Sequence, residues 1–389
     1  MFAFVAAVAA APVVIAVYAY VGYPLILWLA AKARRTSARA EAVTEWPDVT
    51  ITVPIYNAAS SIRATLDRLL ELDYPREKLQ ILVISDASND GSDEIVRGLQ
   101  NRGVELLRMP VRRGKTVAEN AALAASRGEI LVNVDSTILL PSNALKRLVQ
   151  VFQDPTIGVA SGRDVSIGDA HKEGTPAESR YIGYEMWVRD LETQVGSIVG
   201  ASGCFYASRR CIHERALPAG LSWDFASALN ARLQGYRSVS VPEAICMVPR
   251  ALQIRTELRR KMRTMARGLS TLFYYRALMN PFAYGSFALT LISHKLLRWL
   301  PYLLAPIALV ALSTLALESL IARGLLGLTF AALVAGFFAM RHRASLPKPL
   351  ALAGFVVAVF SAGFLAWWAA LRQTQMATWE PTPRPGIQV

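Results

Sequence analysis

The chain contains few of the residues on which hydrolytic and zinc chemistry depend. Among its 389 residues there are four histidines and three cysteines. Zinc sites need closely spaced Cys or His ligands, and no such spacing and no Ser-His-Asp grouping occurs. The cysteines (Cys204, Cys211 and Cys246) are expected to be reduced, buried, small apolar residues. The sequence therefore gives no support to a hydrolase or a zinc enzyme.

Charged residues are also scarce, at 18% of the chain, whereas apolar residues make up 53%. This composition is too apolar for two soluble domains. Residues 1–31 carry no charged side chain and are long enough to cross about 30 Å of hydrocarbon as a helix. Apolar blocks at 299–319, 323–340 and 349–371 predict three further spans, so we expect about four. A signal peptide is the alternative for the first block, but the positive residues follow the apolar run instead of preceding it.

Basic residues flank these apolar blocks and predict their orientation. Positive residues are enriched in cytoplasmic loops, so both basic segments should be cytoplasmic, with the N-terminus and the tail 373–389 outside. The middle of the chain then lies in the cytoplasm, and the expected location is a bacterial inner (plasma) membrane. The basic residues are Lys32, Arg34, Arg35 and Arg39 after the first block, and Arg341, Arg343 and Lys348 between the last two.

The net charge of +13 raises the question of nucleic-acid binding. The cations gather at the membrane edges and in the segment 255–267, a distribution that favours anionic lipid headgroups and a phosphorylated ligand. We therefore expect membrane lipids, and no nucleic acid, among the partners.

Between a linker at 32–46 and amphipathic interface helices at 251–298, residues 47–250 read as one α/β domain. Alternating strands and helices predict a parallel sheet with helices on both faces. The predicted strands are 49–55, 79–85, 104–109, 129–134 and 158–162, and the predicted helices are 60–72, 93–101, 116–126 and 141–152.

Two of the predicted strands end in an aspartate, Asp86 and Asp135. Ligands bind at the carboxyl ends of parallel strands in open α/β sheets, so these two carboxylates indicate one site. A third acid, Asp224, is the only acid between Arg215 and Arg237. Acids that hold a metal and a base, together with the arginines of 259–267 for phosphate, suggest transfer from a nucleotide-activated donor.

Seven motifs follow one another in the order found in membrane-bound family 2 glycosyltransferases. The chain resembles the chitooligosaccharide, hyaluronan and cellulose synthases of that group over nearly its whole length. This resemblance implies a GT-A (Rossmann-like) fold in a cytoplasmic domain inserted between transmembrane helices. The motifs are Val53-Pro-Ile-Tyr-Asn57, Asp73-Tyr-Pro75, Ser85-Asp-Ala-Ser-Asn-Asp-Gly91, Arg113-Gly-Lys-Thr116, Gly128-Glu-Ile-Leu-Val-Asn-Val-Asp135, Gly200-Ala-Ser-Gly-Cys204 and Ser293-His-Lys-Leu-Leu-Arg-Trp299.

The resemblance assigns the donor site. It implies that Asp86 hydrogen-bonds the nucleotide base, with Pro54, Tyr56 and Asn57 on the other side of the base pocket. A solvated turn aspartate is the alternative for Asp86, and turn or cap chemistry is the preferred interpretation of Asp90.

Lys115 is expected to contact the donor, because it opens a helix after a basic loop, although a solvated basic loop is the alternative. Asp135 is expected to hold Mg²⁺ or Mn²⁺ against the diphosphate. The motif there reads Asp135-Ser-Thr137. A hydroxyl replaces the expected second acid, and hydroxyl oxygen is a poorer ligand than carboxylate for a hard cation, so weak metal affinity is expected.

The resemblance also assigns the catalytic base and the acceptor side. Asp224 would accept the proton of the acceptor hydroxyl, and a helix N-cap is the alternative. Gly203, Cys204 and Trp223 are expected on the acceptor side, with Trp223 in the place of the family's usual Glu.

Arg263 and Arg267 are expected to approach the diphosphate, with lipid headgroups as the alternative. The Gln-x-x-Arg-Trp motif of the polysaccharide synthases is missing, and Lys261, Thr264 and Met265 stand at its key positions.

Three functions remain open from the sequence. The first is an inverting membrane glycosyltransferase that moves a sugar from a nucleoside diphosphate sugar, most simply a UDP-sugar, to a lipid-linked or glycan acceptor of surface polysaccharide synthesis. The second is a processive synthase that extrudes its polymer, which the missing tryptophan disfavours. The third is a catalytically silent binding subunit of a glycan-export complex.

Overall fold

The computed structural model describes residues 1–34, 45–167, 176–249, 254–341, 348–372 and 378. The predicted linker lies outside them at 35–44, as do the basic segment 342–347 and most of the tail. The described residues form seven strands: β1 Val49–Ile55, β2 Leu79–Ser85, β3 Val104–Arg108, β4 Ile130–Val134, β5 Ile157–Ile167, β6 Phe205–Arg209 and β7 Arg237–Pro249. Their α-helices are α1 Phe2–Val17, α2 Tyr23–Ala33, α3 Ile62–Leu70, α4 Ser92–Arg97, α5 Lys115–Ala125, α6 Ala144–Val149, α7 Pro176–Val195, α8 Trp223–Leu233, α9 Ile254–Tyr274, α10 Pro281–Tyr284, α11 Ser286–Leu291, α12 Leu297–Leu315, α13 Leu320–Arg341 and α14 Lys348–Leu371.

The strands form one mixed sheet in the order β3-β2-β1-β4-β6-β5-β7. The half containing β3, β2, β1 and β4 is parallel, as predicted. The expectation of an all-parallel sheet is wrong in the other half, because β6 runs antiparallel to both β4 and β5. The residues of β6 were not predicted as a strand, since their pairing depends on distant segments and not on a local pattern.

The central strands are buried on both faces, which explains why they are continuous apolar runs. On β1, alternate residues such as Ile51 and Val53 pack against α3, α4 and α6. On the opposite face, Leu82 and Ile84 of β2 pack against Ala118 of α5. This packing fixes α5, and with it the loop that opens it, against the edge where β1, β2 and β4 end.

Within the described residues, three helices are long and apolar enough to cross a membrane: Phe2–Ala33, Ser286–Leu315 and Leu320–Phe338. The first two each contain a π-helical turn, at Tyr18–Gly22 and Ile292–Leu296. A shorter apolar helix, Val356–Leu371, lies in the block predicted as the fourth span. The second apolar helix begins at Ser286, well before the predicted 299, because the interface region runs directly into it.

The four predicted spans place both ends of the chain outside and the α/β domain in the cytoplasm. A reporter that is active only outside the membrane should therefore give signal when fused after Val389. The same reporter within 342–347 should be silent, because that basic segment is expected inside. A cytoplasmic signal at Val389 would contradict the prediction and reduce the number of spans by one.

Helix α9 is predicted from its amphipathic pattern to lie at the membrane surface, and this position stays a prediction. On its apolar side, Met262 and Met265 pack against Ala366 and Ala369 of α14. Gly268 lies against the ring of Trp299, where an added Cβ would come within 2.7 Å of a ring carbon. The helix thus joins the α/β domain to the apolar helices through close packing.

Candidate active site

The candidate site lies at the edge of the sheet where β1, β2 and β4 end. Tyr56 and Asn57 follow β1, Asp86 follows β2 and Asp135 follows β4. Because these three strands are parallel neighbours, their carboxyl ends meet at one edge. The structure therefore brings together the residues that sequence analysis placed at the strand ends.

The carboxylate of Asp86 is fully buried and holds the loop that precedes α5. Its two oxygens accept hydrogen bonds from the backbone N–H of Arg113 at 2.7 Å and of Gly114 at 2.8 Å. The alternative of a solvated turn aspartate is therefore wrong. In this arrangement Asp86 orders the loop before Lys115, and a contact to a nucleotide base stays a prediction.

The other residues of the predicted base pocket lie beside Asp86. Pro54 is buried within β1, and Tyr56 and Asn57 are half-buried. The guanidinium of Arg112 lies over the Tyr56 ring, 3.7 Å from its centroid. The side-chain oxygen of Asn57 accepts a hydrogen bond from the Asn89 backbone at 2.9 Å. An aromatic ring with a cation on one face is a surface on which a flat base can stack.

Asp90 has the turn and cap role that was predicted for it. Its carboxylate accepts hydrogen bonds from the backbone of Ala59 at 2.9 Å and from that of Ser92 at 3.1 Å. Partial burial alone raises the pKa of Asp90, but the hydrogen bonds from Ser92 and Ala59 hold it below its usual value.

Lys115 and Asp135 form an ion pair at the centre of the site. The Lys115 Nζ is 2.6 Å from Asp135 Oδ1 and 3.4 Å from the carbonyl oxygen of Gly203. Burial alone lowers the pKa of Lys115, but Asp135 and Glu119 raise it above its usual value. Lys115 is thus a fixed cation in the site, and the alternative of a solvated loop lysine is wrong.

Asp224 lies on the other side of Gly203. A side chain at Gly203 would begin only 3.0 Å from Asp224 Oδ2, so glycine is required for this close approach. Asp224 belongs to the first turn of α8, and its Oδ1 accepts a hydrogen bond from Ser222 Oγ at 2.6 Å. The predicted polar loop is therefore a helix start with Ser222 at its N-cap, and Asp224 is half-buried at the site.

Arg267 reaches the site from α9 but is already engaged. Its Nη2 donates hydrogen bonds to the hydroxyl of Thr116 and to the carbonyl oxygen of Leu221. Arg267 thus ties α9 to the start of α5 and to the loop before Asp224, and the predicted diphosphate contact would require it to leave these partners. Arg263 is half-buried one turn earlier in α9, and its predicted contact stays a prediction.

Glu119 is a site residue that sequence analysis missed. It lies one turn after Lys115 on α5, is 2% exposed, and its Oε1 is 3.9 Å from Lys115 Nζ. Burial raises its pKa to about 7, with Asp224 and Asp135 adding to the rise and Lys115 and Arg267 opposing it. No local signal marks it, because a single glutamate in a helix is ordinarily a solvated residue.

The predicted acceptor residues do not share one environment. Gly203 lies between Lys115 and Asp224, and the carbonyl of Cys204 accepts a hydrogen bond from the Asp135 backbone at 3.0 Å. Trp223, in contrast, is buried and its ring stacks on His213 at 4.8 Å. Its ring therefore belongs to the core and cannot stack on an acceptor sugar without leaving it.

The three cysteines are all free thiols. The expectation that all three are buried holds only for Cys246. Cys204 is half-buried and Cys211 is exposed, because it follows β6 on a short turn at the surface.

Comparison with known proteins identifies the domain that carries this site. Residues 50–213, which run from β1 past β6, match the model of glycosyl transferase family 2. The chain carries a family 2 glycosyltransferase domain. Its matched part includes Asp86, Lys115, Asp135 and Gly203, and Asp224 follows it by 11 residues (224 − 213).

Relatives of known activity are similar to about half of this chain. An N-acetylglucosaminyltransferase of a Rhizobium species is 26% identical over 239 residues, which are 56% of this chain and 52% of that protein. A poly-beta-1,6-N-acetyl-D-glucosamine synthase of Staphylococcus aureus is 24% identical over 220 residues, 54% of this chain and 52% of that protein. The chain thus spans about half the length of these relatives.

A solved structure resembles nearly the whole chain. It is a mannosyltransferase from Pyrobaculum calidifontis in complex with GDP-Man and Mn²⁺, with a TM-score of 0.71 and 25% sequence identity. The match covers 94% of this chain and 99% of that one. The glycosyltransferase domain and the apolar helices therefore occur together in a protein that binds a nucleotide sugar.

The site of this glycosyltransferase domain fits a cation that arrives with the nucleotide. No group of three His, Cys, Asp or Glu side chains in the described part of the chain could hold a metal alone. The Asp135 side chain is 31% exposed at the site. Because Mg²⁺ is usually bound by one or two carboxylates, substrate phosphates and water, Asp135 suffices as the protein ligand.

A second buried polar cluster joins the domain to the apolar helices. The ring of His294 lies between two carboxylates of α7, with Nδ1 2.5 Å from Glu192 Oε1 and Nε2 3.2 Å from Glu185 Oε2. Arg298 pairs with Glu185, and the Tyr23 hydroxyl donates to Glu192 at 2.6 Å. His294 is therefore buried, and we define these five residues as the junction cluster.

Proposed function

We propose that this chain is an inverting membrane glycosyltransferase that moves a sugar from a nucleoside diphosphate sugar to a lipid-linked or glycan acceptor. The observation that carries the proposal is the convergence of Lys115, Asp135 and Asp224 around Gly203 in a family 2 domain. The site has one cationic and one carboxylate group for a diphosphate and its metal. It has a separate carboxylate for a proton.

Asp224 acts as the general base in the proposed reaction. Its carboxylate accepts the proton of the acceptor hydroxyl while that oxygen attacks the anomeric carbon of the donor sugar. The hydroxyl oxygen attacks the face of this carbon opposite the diphosphate, and the bond to the diphosphate breaks with both electrons left on the phosphate oxygen, so the configuration inverts. Ser222 holds one carboxylate oxygen at 2.6 Å and leaves the other directed towards Gly203.

Lys115 and Asp135 bind the leaving group. The Lys115 ammonium provides a positive charge for the diphosphate, and Asp135 would hold a divalent cation. Bound there, Mg²⁺ or Mn²⁺ would supply Lewis-acid stabilisation of the departing nucleoside diphosphate. Tyr56 and Arg112 offer the surface for the base, and Asp86 keeps the loop before Lys115 in place.

The acceptor is proposed to be bound at the membrane, in a bacterial inner membrane with the domain in the cytoplasm. Helix α9 supports this, because Arg267 connects it to the loop before Asp224 while its apolar side packs on α14. An acceptor anchored in lipid would meet Asp224 near this helix. The product is proposed to be a surface glycan or its lipid-linked precursor.

A processive synthase is the second candidate, favoured by the Staphylococcus aureus relative. Met265, which replaces the acceptor-stacking tryptophan of the synthases, packs against α14 and not towards the site. This position gives no platform for a growing chain. Product length from the purified wild-type protein distinguishes the two, since only a processive enzyme makes long polymer from one acceptor.

The donor is tested by incubating the purified protein with UDP-GlcNAc, UDP-glucose and GDP-mannose and measuring the nucleoside diphosphate released. We expect release with at least one donor, with a UDP-sugar preferred. Anion-exchange separation of the nucleotides identifies the preferred donor. Absence of release with every donor, in the presence of Mg²⁺ or Mn²⁺ and lipid extract, would contradict the proposed activity.

Replacing Asp135 with alanine is expected to remove the metal-dependent part of nucleotide binding. No second carboxylate lies in 135–137, and the hydroxyls of Ser136 and Thr137 are poorer ligands for a hard cation. Titration of nucleoside diphosphate with and without Mn²⁺ measures the effect, and the exposed Asp67, changed to asparagine, is the matched control. An Mn²⁺-dependent gain in affinity that survives in Asp135→Ala would exclude Asp135 as the metal ligand.

A further inference from the structure

The residues of the donor site form two layers between α5 and β4. In the outer layer, at the site, Lys115 pairs with Asp135. Glu119 lies one helical turn after Lys115, and Asn133 lies two strand residues before Asp135. These two residues form the inner layer, in which Glu119 Oε1 accepts a hydrogen bond from the side-chain amide of Asn133 at 3.4 Å. Residues four apart on a helix and two apart on a strand lie on the same face, so the two layers are stacked directly.

The inner layer is built of buried polar groups with spare hydrogen-bonding capacity. Tyr206 lies opposite Asn133 in the β4–β6 register and is fully buried. Within the described residues, Glu119 Oε2, Asn133 Oδ1 and the Tyr206 hydroxyl have no hydrogen-bond partner. Burying unpaired polar groups is costly, so the unpaired Oε2 of Glu119 is unfavourable for the fold. The glutamate therefore requires a reason other than packing.

The ion pair of the outer layer is in conflict with the proposed function, on which this inference rests. The Lys115 ammonium is 2.6 Å from Asp135 Oδ1, so a divalent cation bound to this carboxylate would lie a few ångström from the ammonium, and the two positive charges would repel each other. Binding of the cation with the diphosphate must therefore release Lys115 from Asp135. Among the described residues, Glu119 provides a second carboxylate within 4 Å of the displaced ammonium.

We propose that Glu119 is a positioning residue that receives Lys115 when Asp135 turns to the cation. Its Oε1 already lies 3.9 Å from Nζ, so a shift of about 1 Å brings the pair to the usual length of a charge-assisted hydrogen bond. Lys115 then lies between Glu119 and the diphosphate, and Asp135 is free. Glu119 thus stabilises the donor-bound arrangement without touching the donor.

The test is Glu119→Gln in the full-length protein. Without the carboxylate, Lys115 stays with Asp135, and the cation must compete with it. Mn²⁺ binding in the presence of a fixed nucleoside diphosphate, followed by electron paramagnetic resonance, should weaken by about tenfold, the effect of one hydrogen bond to a charged group. Nucleoside diphosphate binding without a divalent cation should change by less than about twofold, because Lys115 then pairs with Asp135 in both proteins.

The matched control is Glu94→Gln, which changes an exposed glutamate paired with Arg97 at 2.9 Å on α4. It should leave both affinities unchanged. Turnover with a donor gives a second readout. In Glu119→Gln, the metal concentration that gives half-maximal rate should rise, and this fold-change should be larger than the fold-decrease in kcat at saturating metal. A merely structural role would instead lower nucleotide binding equally with and without metal.

The outcomes separate the two levels of the proposal. Equal Mn²⁺ binding in the wild type and in Glu119→Gln would overturn the role of Glu119 alone. Absence of any nucleotide binding by the wild type would overturn the proposed function as well.

If Glu119→Gln does not fold, Glu119→Asp decides, because aspartate keeps the carboxyl group but places it one C–C bond further from Lys115. Weaker Mn²⁺ binding by Glu119→Asp, with unchanged binding of nucleoside diphosphate in the absence of metal, then supports the movement of Lys115 from Asp135 to Glu119. Unchanged Mn²⁺ binding overturns it.

Discussion

Replacing Asp224 with asparagine is expected to reduce glycosyl transfer by about 100-fold or more, because the acceptor hydroxyl loses its general base. The substitution keeps the size of the side chain and an oxygen that can accept the hydrogen bond from Ser222. Donor binding should remain within a few fold of the wild type, since Lys115 and Asp135 are unchanged. Transfer is measured as product formed at saturating donor, and binding by titration with nucleoside diphosphate.

Two further variants make this result specific. Ser222→Ala removes the hydrogen bond that orients Asp224 and should lower transfer by less than Asp224→Asn does. Asp67→Asn, on the exposed face of α3, should have no effect. If Asp224→Asn kept more than about a tenth of the wild-type rate, the catalytic base would have to be another residue.

Replacing Glu192 with glutamine is expected to destabilise the folded protein by about 1–3 kcal/mol, the usual cost of disturbing a buried hydrogen bond to a charged group. Glu192 is buried between His294 and Tyr23. Burial alone raises its pKa, but His294 holds the pKa of this carboxyl below its usual value, so Glu192 is charged. Glutamine would place an uncharged amide beside the buried His294 ring, although its oxygen could still accept the hydrogen bond from Tyr23.

Chemical denaturation of the purified protein, followed by tryptophan fluorescence, measures this loss. Glu243→Gln is the matched control, because Glu243 is an exposed residue of β7. Limited proteolysis provides a second measurement, since the junction cluster connects α2 and α7 to the helix that contains His294. A Glu192→Gln protein as stable as Glu243→Gln would mean that the junction cluster does not hold the domain to the apolar helices.

Sequence analysis predicted the parallel half of the sheet in detail. Strands β1 and β2 have the predicted bounds, 49–55 and 79–85. Their signal is local, because a strand covered on both faces is a continuous apolar run that ends at a turn. The position of Asp86 and Asp135 at one edge follows from the parallel direction alone. The long apolar helices were also predictable, since length and composition determine them.

Partners that are distant in sequence were not predictable. Arg267 was expected to approach the diphosphate, yet it binds Leu221 and Thr116, which lie 46 and 151 residues away. His294 is buried against Glu192, 102 residues earlier, and no local pattern indicated this contact. Periodicity states which face of a helix is polar, but it does not state what that face contacts.

The sequence by itself therefore determined the parallel strands β1 to β4, the helices between them and the edge at which the candidate site lies, because each depends on short-range pattern and strand direction. Only the tertiary structure decided that β6 is antiparallel and that Glu119 lies beneath the Lys115–Asp135 pair. These features depend on which segments pair across the sheet and how α5 packs on it. A carboxyl group acquires its chemical role from neighbours that the fold brings to it, and no local pattern records them.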